Sequence, residues 1–313
     1  MWRIGLDAGL TCPNRDGTLD TRGCIFCNPA SFSPAWRERP AAAREPLPPS
    51  AFRLPPFAGP ASPAREPPPP ITVQLDEGID HLRASRHANR CVAYFQPGTN
   101  TYAALWRLKN LFEEALSHPA VVGLAIGTRP DCVPDAVLDL LAELSGRTWL
   151  SVEYGLQTIH DRSLNWLRRG HRYDAFLDAV RRSRERGLEI GAHVILGLPG
   201  ESPPDMRATA REITRLGLQS VKIHNLHAVR GTRLAELAAA GQVQFPELTE
   251  YAGYVVDFIE QLSPDCVVDR TSGEAPAEIL VAPRWCLDKP AVRAAIDAEF
   301  RRRDSWQGRG IRG

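Results

Sequence analysis

The strongest constraint on the fold is an alternation of short apolar runs with longer amphipathic stretches. Residues 91–95, 121–126, 149–154, 190–196 and 221–226 read as buried strands, and residues 2–7 as a shorter one at the start. Between them, residues 74–87, 101–117, 134–144, 161–186 and 204–216 carry apolar side chains at helical spacing. Leu75, Ile79 and Leu82 stripe the first of these, and Leu105, Leu108, Leu111, Phe112 and Leu116 the second. Thr101 is the expected cap of that second helix, Pro134 stands at the start of the third, and a break near Gly170 divides the fourth. About six strand–helix units with short connections predict a parallel sheet with helices packed outside it. Six units are too few for a closed eightfold barrel, so the pattern leaves a partial barrel and a doubly wound sheet both open.

Each expected strand ends in residues that a buried strand does not need. They are Gln96-Pro97-Gly98-Thr99-Asn100, Gly127-Thr128-Arg129-Pro130-Asp131, Glu153-Tyr154-Gly155-Leu156-Gln157, Gly197-Leu198-Pro199-Gly200-Glu201 and His224-Asn225-Leu226-His227. Parallel α/β enzymes assemble their sites from loops at the carboxyl ends of strands. One such turn is weak support on its own; the whole set in this order is strong.

The loop after the first strand holds the most specific chemistry. Cys12 follows Thr11 and precedes Pro13-Asn14; eleven residues later come Cys24-Ile25-Phe26-Cys27. Three cysteines fall within sixteen residues, the next is Cys91, and the first histidine is His81. A structural zinc site wants four ligands, so here a distant residue would have to complete it. A 4Fe–4S cube held by three thiolates keeps one iron open for chemistry. A disulfide framework is a poor fit to seven cysteines, an odd number, in a 313-residue chain without a secretion signal. Gly9, Gly17 and Gly23 keep the loop irregular enough to wrap an inorganic group.

With 43% hydrophobic residues the chain can bury a large core, and its net charge of +1 exerts no overall pull on nucleic acid or membrane. No apolar run of membrane-spanning length occurs, and the expected setting is cytoplasmic. Arginines crowd residues 168–186 and 301–303, where solvated helix faces are the simpler reading. Thirteen of the 37 residues from 34 to 70 are proline, which predicts a disordered or polyproline surface insertion. The chain therefore divides into a first strand and cluster loop (1–33), the insertion (34–70), the rest of the core (71–244) and a C-terminal extension (245–313). That extension is expected to hold a helix over 248–262, a strand over 266–269 and a helix near 291–302, and to close the open side of the sheet.

The cysteine loop, Glu153-Tyr154-Gly155-Leu156-Gln157-Thr158, Leu167-Arg168-Arg169-Gly170-His171 and His193-Val194-Ile195-Leu196-Gly197-Leu198-Pro199-Gly200-Glu201 together resemble the radical S-adenosylmethionine (SAM) enzymes. The similarity is to the branch of the elongator catalytic subunit and the oxygen-independent coproporphyrinogen dehydrogenase. Asp7-Ala8-Gly9 leading to Thr11-Cys12-Pro13-Asn14-Arg15-Asp16-Gly17, with Gly127 to Asp135 and Ala282-Pro283-Arg284-Trp285-Cys286, resembles the bacterial YhcC-like group more closely. It covers residues 4–286 apart from the insertion. The eleven-residue gap after Cys12 is wider than the familiar three, as in this branch. Relatives carry roughly two dozen residues ahead of the first strand, so Met1 reads as a misassigned start or a truncation.

The resemblance implies an α/β fold, a partial (β/α)6 TIM-type barrel with a C-terminal α/β extension, an oxygen-sensitive 4Fe–4S cluster and SAM. Cys12, Cys24 and Cys27 would hold three irons, and SAM would chelate the fourth. Phe26 would lie beside the adenine or plug the cube. Gln96 and Thr99 would face the SAM amino group, although the common Gly-Gly-Glu is missing there. Glu153 and Gln157 would contact the ribose and its surroundings, Arg169 the SAM carboxylate, and His193 the ribose, unless it is a core histidine. Gly197 and Gly200 would admit the adenine. A one-electron reductant, flavodoxin- or ferredoxin-like, would drive cleavage of SAM to methionine and a 5′-deoxyadenosyl radical, which abstracts hydrogen from a substrate, RNA or a small metabolite. Substrate-side candidates are Arg129, Asp131, Cys132, His224 and His227; Cys132 and Cys286 are alternatively buried structural thiols. The competing reading is a noncatalytic iron–sulfur or zinc sensor, which a fourth cysteine ligand from Cys91, Cys132, Cys266 or Cys286 would favour.

Overall fold

A computed structural model describes residues 2–31 and 67–311. The apolar runs form β1 (Trp2–Leu6), β2 (Cys91–Phe95), β3 (Val121–Thr128), β4 (Trp149–Gln157), β5 (Glu189–Leu196) and β6 (Ser220–Asn225). They pair in chain order, all parallel, and β8 (Val267–Arg270) from the C-terminal part adds beside β6 as a seventh strand. A two-residue β7 (Ala228–Val229) and β9 (Leu280–Ala282) make a separate antiparallel pair.

The helices follow the strands as the alternation predicts: α1 (Ile71–Arg86), α2 (Leu105–Ser117), α3 (Asp135–Ser145), α4 (Asp161–Trp166), α5 (Tyr173–Glu185) and α6 (Pro203–Arg215). After these come α7 (Arg233–Ala239), α8 (Leu248–Ile259) and α9 (Lys289–Arg303). One face of each strand packs on the helices. Leu6, Phe95, Ile126, Val152, Val194 and Ile223 meet Leu75, Phe112, Leu141, Phe176 and Ile213 in a single core. Tyr251, Val255 and Ile259 of α8 and Val292 and Ile296 of α9 belong to that same core, so the extension shares its interior with the preceding strands.

The other face lines a lumen with polar side chains. Its curl is marked by one contact: Arg3 of β1 donates to Asp269 of β8 at 2.8 Å, although these strands stand at opposite ends of the pairing order. The sheet is a half-barrel, which decides against the doubly wound arrangement.

Two local expectations differ. Thr101 does not cap α2, which starts at Leu105; its hydroxyl instead contacts Thr128 Oγ1 (2.5 Å) and donates to the Cys132 carbonyl (2.6 Å). That link ties the β2 and β3 loops together, a stronger demand than an exposed cap. The proline tract lies mostly outside the described residues, but its last three prolines are fitted parts. Pro68 lies against Gly9, Pro69 accepts from Gln74 Nε2 (2.7 Å), and Pro70 precedes α1. Gln74 also grips the end of β1, accepting from the Asp7 amide (2.8 Å) and donating to its carbonyl (2.9 Å). The amide clasp sets where the cysteine loop leaves the sheet. Among the described residues no helix is long and apolar enough to cross a membrane.

Candidate functional site

Because all seven strands run the same way, the loops after β1 to β6 and β8 gather at one end. The cysteine loop is folded on itself there. Arg15 and Asp16 amides donate to the Cys12 carbonyl (2.8 and 3.2 Å), Gly23 to Asn14 (2.6 Å) and Cys27 to Cys24 (3.0 Å). Gly23 sits at φ +77°, and a Cβ there would lie 2.9 Å from the Arg15 guanidinium, which donates to the Cys27 carbonyl. Three neighbours sew the loop in place: the Thr99 amide donates to Thr11 (3.1 Å), the Ile25 amide to Leu167 (3.1 Å) and the Leu234 amide to Ile25 (2.8 Å).

Donors surround the sulfurs. Asn14 Nδ2 reaches Cys24 Sγ (3.4 Å) and the carbonyls of Arg168 (2.8 Å) and Arg169 (3.0 Å). Arg169 donates through Nη1 to Cys24 Sγ (3.4 Å) and through Nη2 to the Gly155 carbonyl (2.9 Å). Arg129 is buried, forked onto Asp131 at 2.9 and 2.8 Å, and its charge bears on Cys12 and Cys24. Asn14 Oδ1, Arg129 Nη1, Arg169 Nε and His171 Nε2 are buried with no hydrogen-bond partner. Burial and the Arg169 charge push the His171 imidazole down to about 4, so it is neutral. Unpaired buried groups of this kind are costly. Here four of them gather by the cysteine loop, and the two donors among them, Arg129 Nη1 and Arg169 Nε, suit an anionic sulfur-ligated cluster.

The remaining four cysteines are buried thiols that stand away from the loop or face a carboxylate. Burial raises Cys91 and Cys286 to about 11 and Cys132 and Cys266 to about 12. Cys91 and Cys266 stand at the amino ends of β2 and β8, away from the loop, and Cys286 packs beside β7 and β9. Cys132 is the near one, within the field of Cys12, yet its Sγ faces Asp131 at 3.7 Å, which opposes deprotonation.

Gln157 is held at φ +68°, at a register shift in the β4–β5 pairing. A non-glycine residue in that region is strained and marks a position with a function to serve. The strain turns its amide back over Gly155, where an added Cβ would meet Gln157 Nε2 and Arg169 Nη2, each at 2.9 Å. Gly155 thus leaves a cradle that these two side chains roof. Phe26 packs with Ile195 and Leu198 just past β5. Gly197, at φ +80°, lies against Pro246. Gln96 is half-buried at the end of β2; Thr99 is buried and offers the loop its backbone amide.

Lower in the lumen, Glu153 stands apart from Gln157, although the sequence pairs them. Its carboxylate receives Arg3, Lys222 Nζ (2.5 Å) and His193 Nε2 (2.9 Å) and is 1% exposed. Burial works to raise this carboxyl, but the His193 hydrogen bond and the Lys222 charge outweigh it and hold it well below the usual range. Burial lowers Lys222 to about 8, and its ammonium lies 3.8 Å over the Tyr94 ring. Both oxygens of Glu153 are thus engaged by neighbouring cations and His193, whereas the sequence expects this carboxylate at the ribose. Arg3 and Lys222 went unforeseen, since a lone cation in an apolar strand gives no signal until its distant partner is known. His193 stacks on His224 with ring centroids 5.4 Å apart, and His227 Nδ1 donates to the Asn225 carbonyl (3.1 Å).

The structure is a parallel half-barrel of the α/β class, with three cysteines in its first carboxyl-end loop and two side-chain donors on the sulfur of Cys24. Residues 21–213 match the Radical SAM superfamily profile and residues 218–302 the Radical_SAM C-terminal domain. The chain is 34% identical to YtqA of Bacillus subtilis over 99% of its own length and 87% of that protein. It is 35% identical to YhcC of Escherichia coli over 94% of its length and 85% of that protein. The archaeal Methanocaldococcus infernus Elp3 has the same fold, with a TM-score of 0.62 at 20% identity over 74% of this chain and 59% of that one. The chain belongs to the radical SAM superfamily. It is an enzyme of SAM-dependent radical chemistry, and its cofactors are a 4Fe–4S cluster and SAM.

Proposed function

We propose that Cys12, Cys24 and Cys27 bind the cluster through three irons and leave the fourth to SAM. The observation that supports this is the set of unpartnered buried polar atoms beside the loop that carries these three thiols. When bound, the cluster and SAM supply a 5′-deoxyadenosyl radical that abstracts hydrogen from the substrate. The chain's own part is binding, orientation and exclusion of water. Asn14 and Arg169 donate to Cys24 and fix its orientation. Arg169 and Gln157, converging over Gly155, form the polar wall for the methionyl end of SAM, where a forked donor suits a carboxylate. Phe26, with Ile195 and Leu198, offers an apolar face for the adenine, and the turn at Gly197 and Gly200 keeps side chains clear of it.

The electron comes from a one-electron protein donor, flavodoxin- or ferredoxin-like. Support for an RNA substrate weakens at α5. Arg181 pairs with Asp178 and Glu185, Arg182 with Asp178 and Asp135, and Arg186 with Asp139 and Asp135. That face is a balanced ion lattice, not a free basic patch, which favours a small substrate reaching the lumen.

The test is anaerobic reconstitution followed by EPR of the reduced cluster with and without SAM, and chromatography for 5′-deoxyadenosine. Wild type is expected to change its spectrum with SAM and to form deoxyadenosine; Cys24→Ala is expected to lose the cluster. A spectrum indifferent to SAM, or bound zinc in place of iron, would overturn the assignment in favour of a sensor.

A further inference from the structure

The lumen contains a cation that the site described above does not use. Arg270 ends β8, in register with Lys222 on β6, and makes no hydrogen bond or ion pair among the described residues. Its neighbour Asp269 is taken by Arg3. The fixed charges facing the lumen here are Arg3, Lys222 and Arg270 against Glu153 and Asp269, three positive and two negative, so one positive charge is left over. Glu274, the other nearby carboxylate, pairs with Lys289 at 2.6 Å. A partly buried guanidinium without a counter-ion is a poor structural element and a good anchor for an anion.

The surroundings are shaped for such a ligand. Arg270 pairs in register with Lys222, which itself pairs with His193, and its charge bears on Tyr94, His193, His224 and His227. His224 Nε2 is buried and has no partner. His227 commits its Nδ1 proton to Asn225, and His193 its Nε2 proton to Glu153. Gly273 lets the backbone press on both later rings, since a Cβ there would lie 3.1 Å from His227 and 3.2 Å from His224. The Gly273 amide is fixed by Asn225 Oδ1 at 2.8 Å. His224, His227, Arg270 and Gly273 lie at the carboxyl ends of β6 and β8, on the same end of the sheet as the cysteine loop.

We infer that Arg270, assisted by His224, anchors an anionic group of the substrate, a carboxylate or a phosphate ester. The inference rests on the proposed use of Arg169 and Gln157 for SAM, which leaves Arg270 to the second reactant. The anion neutralises the surplus charge of the lumen, and His224, if it carries its proton on Nε2, supplies a further donor.

The test uses the full reconstituted chain with its cluster oxidised and its histidines labelled with nitrogen-15. Inorganic phosphate and succinate are titrated separately at constant ionic strength, with SAM absent and then saturating. A saturable shift of a few histidine resonances is expected in wild type and at least a tenfold weaker response in Arg270→Gln. Response to phosphate alone assigns a phosphate ester, to succinate alone a carboxylate, and to both an anion site of either kind. Arg270→Gln must retain the SAM-dependent EPR change of wild type, which separates loss of the anchor from loss of the cofactor site. Equal responses in wild type and variant, or no saturable response to either anion, would overturn the inference. So would exclusion of the anion by SAM, because the site would then belong to the SAM carboxylate. Should wild type show no SAM-dependent EPR change, the cofactor assignment falls while the titration still decides the anion site.

Discussion

Glu153 carries the most charge traffic of any single side chain in the lumen. Replacing it by Gln leaves Lys222 without a carboxylate and Arg3 with Asp269 alone, and breaking a buried pair in this way costs on the order of 3 kcal/mol. Denaturant unfolding of Glu153→Gln should show a loss of that size. Adding Lys222→Met should restore more than half of it, because removing both charges leaves neither one stranded. An unchanged midpoint in the single variant would mean that the knot is solvated. At this scale the cysteines were legible because spacing alone reports their chemistry. Arg3 and Lys222 were not, since their partners lie 150 and 266 residues away for the one and 69 for the other. Glu153 was visible as a polar residue in a strand, but its engagement could not be seen before its neighbours were in place.

At the level of the element, β4 joins the core to the site. Tyr154 and Val152 pack outward, while Glu153, Gly155 and Gln157 face the lumen side, with the register shift letting Gln157 fold back. Gly155→Ala would press a methyl group into the ends of two flexible side chains, so the strand should survive while Arg169 and Gln157 are displaced. Iron content should stay as in wild type and SAM affinity should fall by about tenfold or more, since small misplacements of positioning groups are expensive. Equilibrium dialysis with labelled SAM measures this; wild-type affinity would remove both residues from the cofactor site. Strands and helices were readable from periodicity almost throughout. The α2 start was misplaced because Thr101 has a better hydrogen-bonding task than capping, a competition that local sequence does not reveal. The seventh strand was foreseen as part of the extension, but its place beside β6 depends on long-range register.

For the whole molecule, the lumen sets a pH limit. Burial, first of all, holds His193, His224 and His227 below the ordinary 6.5, with the Arg270 charge adding to the effect. As pH falls through about 6.5 the unfolded chain takes up protons that the folded chain refuses, so stability is lost with falling pH. Glu153, with its depressed carboxyl, adds a second loss below 4.5, where its unfolded form becomes protonated. The thermal midpoint should therefore decline between about pH 7 and pH 5, and His224→Asn should shallow that decline. A flat profile in wild type would mean that the three rings are free to ionise.

The bridge from Arg3 to Asp269 has a consequence for synthesis. Its two ends belong to the first strand made and to one completed only when most of the chain has been translated. The three thiols emerge early, whereas the strand carrying Asp269 and Arg270 must pair in parallel with β6 after a long wait, the slow kind of strand addition. Until then one flank of the nascent sheet lacks its last partner, and Arg3 and Lys222 share a single carboxylate. The thiols emerge early, but the partners that hold their loop, at Thr99, Leu167 and Leu234, follow only as the sheet grows, so the cysteine loop is completed together with the strands around it.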